Sequence, residues 1–144
     1  MEIDESKYLD FDVLKIKSLK DEYESSIEFI LSELPAKVNW SSSKQIKLYF
    51  ENALDIKLES VKISHILSHL DEFPHDSPGF DLINGLVLYL KQKYTLKNYL
   101  DCILFHQING RVHLRFFGGR WVLPNRQPIP TAPEITACVI ARKE

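Results

Sequence analysis

Between Lys91 and Arg126 the sequence carries seven bases, Lys91, Lys93, Lys97, Arg111, Arg115, Arg120 and Arg126, against one acid, Asp101. Lysine and arginine are the side chains that neutralise phosphates, and each phosphate so paired releases a condensed counterion. Lys91, Lys93, Lys97 and Asn98 are spaced to track phosphates along a helix, or equally to form its solvated face. Arg111, His113 and Arg115 alternate with Val112, Leu114 and Phe116, which puts the three on one face of a strand. That face is either a cationic contact surface or the wet side of a two-sided sheet. Arg120 by itself reads as a surface strand residue and Asn125 as a turn residue before a proline-rich link. The rest of the chain offers little chemistry. His65 and His69 stand at i, i+4 with His75 nearby, but Ile66 occupies the place where a zinc protease carries its glutamate. Helix-face histidines without a metal are the favoured reading. Ser41 to Ser43 lack a nucleophile motif, and Gly118-Gly119 leads into a strand rather than a phosphate-cradling helix. No metal or cofactor is expected.

The elements that must hold these residues follow from composition and periodicity. The chain has 144 residues, 44% hydrophobic and 26% charged, the range of an ordinary globular domain, and a single domain over 1–144 is expected. The formal charge of −2 conceals a split. Residues 1–72 hold fifteen acids and nine lysines, net −6, whereas residues 73–144 hold five acids and nine bases, net +4. Such asymmetry points to a polyanion site in the second half. Cys102 and Cys138 sit among apolar residues without metal-ligand spacing and read as buried thiols. Met1-Glu2-Ile3-Asp4-Glu5 does not open a secretory signal, and no apolar run approaches a span of about 20 residues, so a cytoplasmic location without membrane contact is expected.

Ile16, Leu19, Tyr23, Ile27, Ile30, Leu31 and Leu34 fall on one helical face, with Asp12 as N-cap and Pro35 as stop. The serine run caps a second helix built on Ile46, Tyr49, Phe50 and Ala53, and a third short helix is expected from Ser60 to Leu70. Phe73 to Gly79 reads as a loop, and Phe80 to about Gln107 as helix with a bend near Tyr94 to Asn98. Tyr8 to Phe11 reads as extended. Asn109-Gly110 is a turn dipeptide, Arg111 to Phe116 a strand, and Trp121 to Leu123 and Ile135 to Ile140 further strands around a proline-rich link. The fold class expected is α+β, mainly α: a helical body over about 8–108, then a small antiparallel β element over 109–144.

Four stretches in this order resemble the family A (DNA polymerase I-type) DNA polymerases, specifically their thumb-containing segment over roughly residues 8 to 130. The family run N-x-x-S-P-K-Q-L is matched by Asn39 to Ile46, with Ser43 for proline and Ile46 for leucine. Tyr89, Leu90, Gln92 to Leu96, Asn98 and Tyr99 occupy the register of Y-R-x-L-x-K-L-x-x-T-Y. Asn109 to Phe116 corresponds to T-G-R-[LIV]-H-x-x-[FW], and Gly119-Arg120-Trp121 with Pro124 to Pro130 to T-G-R-L and P-N-L-Q-N-I-P. There are departures. Gly118 replaces the threonine, the segment between Phe116 and Gly119 is shortened, and Leu90 and Tyr94 stand where the family has arginine and lysine.

The resemblance implies a thumb-like fold with a minor-groove and phosphate contact surface at Arg120, Asn125 and Gln127, groups that offer a planar guanidinium fork and amides that both donate and accept. With Lys91, Lys93, Lys97, Asn98, Arg111, His113 and Arg115 these make up the expected contact to duplex or primer-template DNA. Polymerase chemistry requires two metal-holding carboxylates in a palm. Beyond Pro130 the acids are Glu134 and Glu144, so a non-catalytic module is expected, a fragment or subunit of a split phage or mobile-element polymerase. Its partners would be DNA and a separately encoded palm and fingers subunit. The rival expectation is an interaction or regulatory protein that reuses the thumb-like fold to bind a replication partner through its acidic helices, with Glu24 and Glu28 at the contact.

Overall fold

The computed structural model describes residues 7–140; Met1 to Glu5 and Glu144 lie outside the described residues. The chain divides into two compact units: residues up to Glu24 with those from Tyr94 onward, and residues Ser25–Lys93. The fold is α+β and mainly α.

The first unit begins with strand β1 (Tyr8–Asp10), which leads into helix α1 (Val13–Glu33). Asp12 caps that helix as its sequence predicts, accepting from the Lys15 N–H at 3.2 Å. After residue 93 the unit continues with a π segment over Leu96–Leu100, which falls where the bend was expected, and helix α5 (Asp101–His106). Strand β2 (Arg111–His113) then pairs antiparallel with β1, Leu9 opposite Val112. The Asn109-Gly110 turn feeding β2 has φ of 52° and 84°, and a Cβ on Gly110 would lie 2.8 Å from the Phe11 carbonyl oxygen. Glycine there answers both to conformation and to close approach. A hairpin comes next, β3 (Arg115–Phe117) and β4 (Arg120–Val122), joined by Gly118-Gly119. Helix α6 (Pro133–Thr136) closes the unit. Its core is Phe11, Ile16, Leu19, Leu100, Ile103, Val112, Ile135 and Cys138.

Two expectations change here. The strand expected over Arg111 to Phe116 breaks at Leu114, whose N–H is taken by the Lys7 carbonyl, so β2 joins β1 and β3 joins β4. Ile135 to Ile140 is not a strand. Pro133, preset for the first helical position, starts a single helical turn that buries Ile135. After a turn through Cys138, Val139 alone bridges antiparallel to Phe11, with Asp12 N–H to Cys138 O and Ile140 N–H to Asp10 O both at 2.7 Å.

The second unit packs the later part of α1 with α2 (Ser43–Leu54), α3 (Ile63–Leu67), a 3-10 turn over Leu70–Glu72, and α4 (Pro78–Thr95), whose residues to Lys93 belong here. Helix α4 already begins at Pro78, inside the segment expected as loop. The core of this unit includes Ile30, Leu34, Trp40, Ile46, Phe50, Ile66, Ile83, Leu86 and Tyr89. Ala53, expected on the apolar face of α2, is exposed. Ser42 caps α2 by accepting from the Gln45 N–H at 3.3 Å, while the Gln45 side chain accepts from the Asn39 N–H at 2.8 Å. Asn39 in turn accepts from the Ser41 N–H at 3.0 Å. The first of the four polymerase-like stretches is therefore a helix-capping device. Among the described residues no helix is long and apolar enough to cross a membrane.

Candidate nucleic-acid interface

Of the ten predicted contact residues, Lys91 and Lys93 belong to the second unit and the other eight to the first. Lys91 is exposed and has no polar partner among the described residues. Lys93 is half-buried: its Nζ donates to Ser41 Oγ at 3.0 Å and lies 5.7 Å from the Tyr89 ring centre, and Ser41 Oγ is 3.0 Å from the Tyr89 hydroxyl. A lysine held this way stitches α4 to the turn before α2.

The arginine of β2 has a local occupation too. Arg111 Nε donates to Asp10 Oδ1 at 3.2 Å, and its guanidinium lies 3.6 Å from the centre of the Tyr8 ring. The Asp10 side chain is only 3% exposed, and a carboxylate so buried requires a cation. The neighbouring strand residue His113 is exposed and meets Tyr8 edge-on at 6.1 Å.

Of the remaining six, Asn98, Arg115, Arg120, Asn125 and Gln127 come together around the β3–β4 hairpin, and Lys97 precedes Asn98. Gly118 and Gly119, at φ 62° and 83°, have the two positive values of the tight turn that matches the right-handed twist of a hairpin. Arg115 faces Val122, Phe116 faces Trp121, and Phe117 faces Arg120. The chain then folds back at once. Arg126 N–H donates to Leu123 O at 2.8 Å and Leu123 N–H to Gln127 O at 2.9 Å, a three-residue hairpin loop over Pro124 to Arg126. Arg115 donates to Pro124 O at 3.3 Å, tying the two hairpins together.

This loop is fastened to the π segment. Asn125 Nδ2 donates to Asn98 O at 2.8 Å, the Tyr94 hydroxyl to Gln127 Oε1 at 2.6 Å, and Asn98 Nδ2 to Tyr94 O at 3.1 Å. The amides of Asn98, Asn125 and Gln127 thus hold the loop in place. Lys97 and Arg120 are exposed without a polar partner among the described residues, and Arg115 and Arg126 are exposed as well. From Cys102 to Pro133 the chain has no acid, so nothing in that stretch neutralises them.

No family model, curated protein or solved structure matches this chain.

Four residues of this surface were not predicted as site residues from the sequence: Phe116, Phe117, Trp121 and Arg126. Phe116 and Phe117 are 45% and 50% exposed, Trp121 meets Phe116 edge-on at 5.4 Å, and the Arg126 guanidinium lies 4.6 Å from the Phe117 ring centre. The signal was available as adjacent aromatics before a Gly-Gly turn, a position where side chains have little to bury them.

The other candidate groups are accounted for locally. His65 bonds Ser60, His69 pairs with Glu72, and His75 lies against Phe80. Among the described residues no three His, Cys, Asp or Glu side chains cluster as metal ligands. Cys102 and Cys138 are buried free thiols, as expected. Burial pushes both upward in pKa, Cys102 with partial offset from the Asn125 backbone and Cys138 from nearby Lys15. Thiols held protonated make poor nucleophiles.

Proposed function

We propose that this protein is a non-catalytic nucleic-acid-binding module with a thumb-like relation to family A DNA polymerases, acting in the cytoplasm on duplex or primer-template DNA beside a separately encoded catalytic subunit. The observation that carries the reading is a stretch of the first unit from Cys102 to Pro133 that has no acid, in which Arg115, Arg120 and Arg126 are exposed on a double hairpin fastened through Asn125 to Asn98, the neighbour of the exposed Lys97. Arginine supplies a fork for phosphate oxygens and groove acceptors, and such contacts tolerate any sequence. Arg111 and Lys93 serve the fold in this account, through Asp10 and Ser41.

The test is primer-template binding with Lys97→Ala and Arg120→Ala. Each substitution weakens binding and lowers the slope of log affinity against log salt by about 1. Unchanged affinity and slope in both variants overturn the reading.

A second reading is favoured by α1, where Phe29 is 67% exposed and its neighbours Glu28 and Glu33 are exposed as well. An apolar ring within an acidic surface suits a basic protein partner better than DNA. Charge reversal at Glu24 and Glu28 abolishes recovery of a replication partner on this reading. Recovery unaffected by the reversal counts against it.

A further inference from the structure

Arg126 stands where glycine is favoured. It is the residue after the Pro124-Asn125 turn, the place in a three-residue hairpin loop that adopts the left-handed conformation, and its φ is 68°. A side chain there costs about 1 to 2 kcal/mol relative to a relaxed backbone. What the strained position achieves is visible: it carries the guanidinium across to the Phe117 ring at 4.6 Å. With the guanidinium in place Phe117 is still 50% exposed, and Phe116, on the other face of the hairpin, is 45% exposed. Each face of the hairpin thus offers one half-exposed aromatic ring to solvent.

We propose that the double hairpin takes unpaired nucleobases: Phe116 and Phe117 provide stacking surfaces on its two faces, and Arg115, Arg120 and Arg126, which share the Phe117 face, take the phosphates beside it. The charges argue for this occupant. The chain from Cys102 to Pro133 contributes no acid, so an apolar protein ligand would bury uncompensated arginines, whereas a nucleotide brings one phosphate for each flat apolar base. The edge-on contact of Trp121 with Phe116 and the bond from Arg115 to the loop hold the rings in position before a base arrives. A short hairpin of this shape suits a single strand or a primer-template junction, where bases are already unstacked. The inference rests on the nucleic-acid reading above and adds the kind of strand that the site prefers.

The test compares three labelled probes at about 50 mM salt: a dT oligomer of about 12 nucleotides, an abasic oligomer of equal length and charge, and a duplex. The full chain binds the dT oligomer at least about tenfold more tightly than the abasic one, since a stacked base is worth about a factor of ten or more. The Phe116→Ala, Phe117→Ala double variant loses that preference while duplex affinity stays within about twofold. Equal binding of dT and abasic oligomers by the unaltered protein overturns the inference and leaves the phosphate-binding reading standing. A preference that survives in the double variant overturns the assignment to these rings. Failure to bind any of the three probes overturns both.

Discussion

Three side-chain pairs set what the surface residues are free to do. Arg111 is committed to Asp10, and Arg111→Ala would strip the guanidinium from a carboxylate that is 3% exposed. The expected cost is that of one charge-assisted hydrogen bond, about 1.5 to 3 kcal/mol, read as a lower urea midpoint, with little change in the salt slope of DNA binding. A variant of unaltered stability with a reduced slope would instead place Arg111 on phosphate. The Tyr23 hydroxyl donates to Glu134 Oε1 at 2.7 Å. Burial first, and then this bond, raises the tyrosine, while the bond holds Glu134 below its ordinary value of 4.5. The bond's contribution is thus complete above pH 4.5 and lost as pH falls through the depressed Glu134 value. On the alkaline side it is lost as pH rises above the ordinary tyrosine value of 10. Tyr23→Phe therefore lowers stability by about 1 kcal/mol at pH 7, a gap that closes in acid. A gap constant from about pH 7 to about pH 3 refutes the assignment. Lys20, ion-paired to Asp101 at 2.9 Å, is raised by that partner. Caps were legible in the sequence because Asp12 and Ser42 act within three residues. The Arg111 pairing was not, since Asp10 lies 101 positions away and only the fold joins them.

At the level of elements, the hairpins decide how cations and rings are displayed. Gly118 and Gly119 meet nothing within 4 Å of an added Cβ, so substituting them tests conformation alone. Gly119→Ala costs about 1 to 2 kcal/mol and frays the turn, whereas Gly118→Asn is tolerated because asparagine enters the left-handed region with less strain. Hydrogen exchange at Phe117 and Arg120 reports the difference, and equal protection in both variants contradicts the turn assignment. Arg126→Gly relaxes the adjoining loop by about 1 kcal/mol, raising the melting temperature while weakening oligonucleotide binding. A melting temperature lowered by that change would show that the left-handed backbone is not strained. Sequence periodicity found the helices, the Asn109-Gly110 turn and β4. It failed at Leu114, because alternation of polar and apolar residues is indifferent to which sheet a strand joins. It failed again at Ile135, where the apolar run is short enough to be strand or helix and Pro133 decides for the helix. The polar cluster at Tyr94 to Asn98 marked a bend, though not its π form. It becomes intelligible once Asn125 is seen to donate to the Asn98 carbonyl.

At the scale of the whole chain, the charge split apparent in the sequence does not map onto the two units, since the first unit holds eleven acids and eleven bases. Its cationic feature is local: the segment from Cys102 to Pro133 has no acid and carries the exposed Arg115, Arg120 and Arg126. The division into two units, with Lys91 and Lys93 in one and the hairpins in the other, was not legible from a periodicity that runs unbroken through α1 and α4. Each helix simply continues from one unit into the other. The most direct test of nucleic-acid binding is the dissociation constant for primer-template DNA measured between about 50 and about 200 mM salt. Four phosphate contacts predict that log affinity falls against log salt with a slope of about −3 to −4. No binding at about 50 mM salt, or a slope near zero, contradicts it.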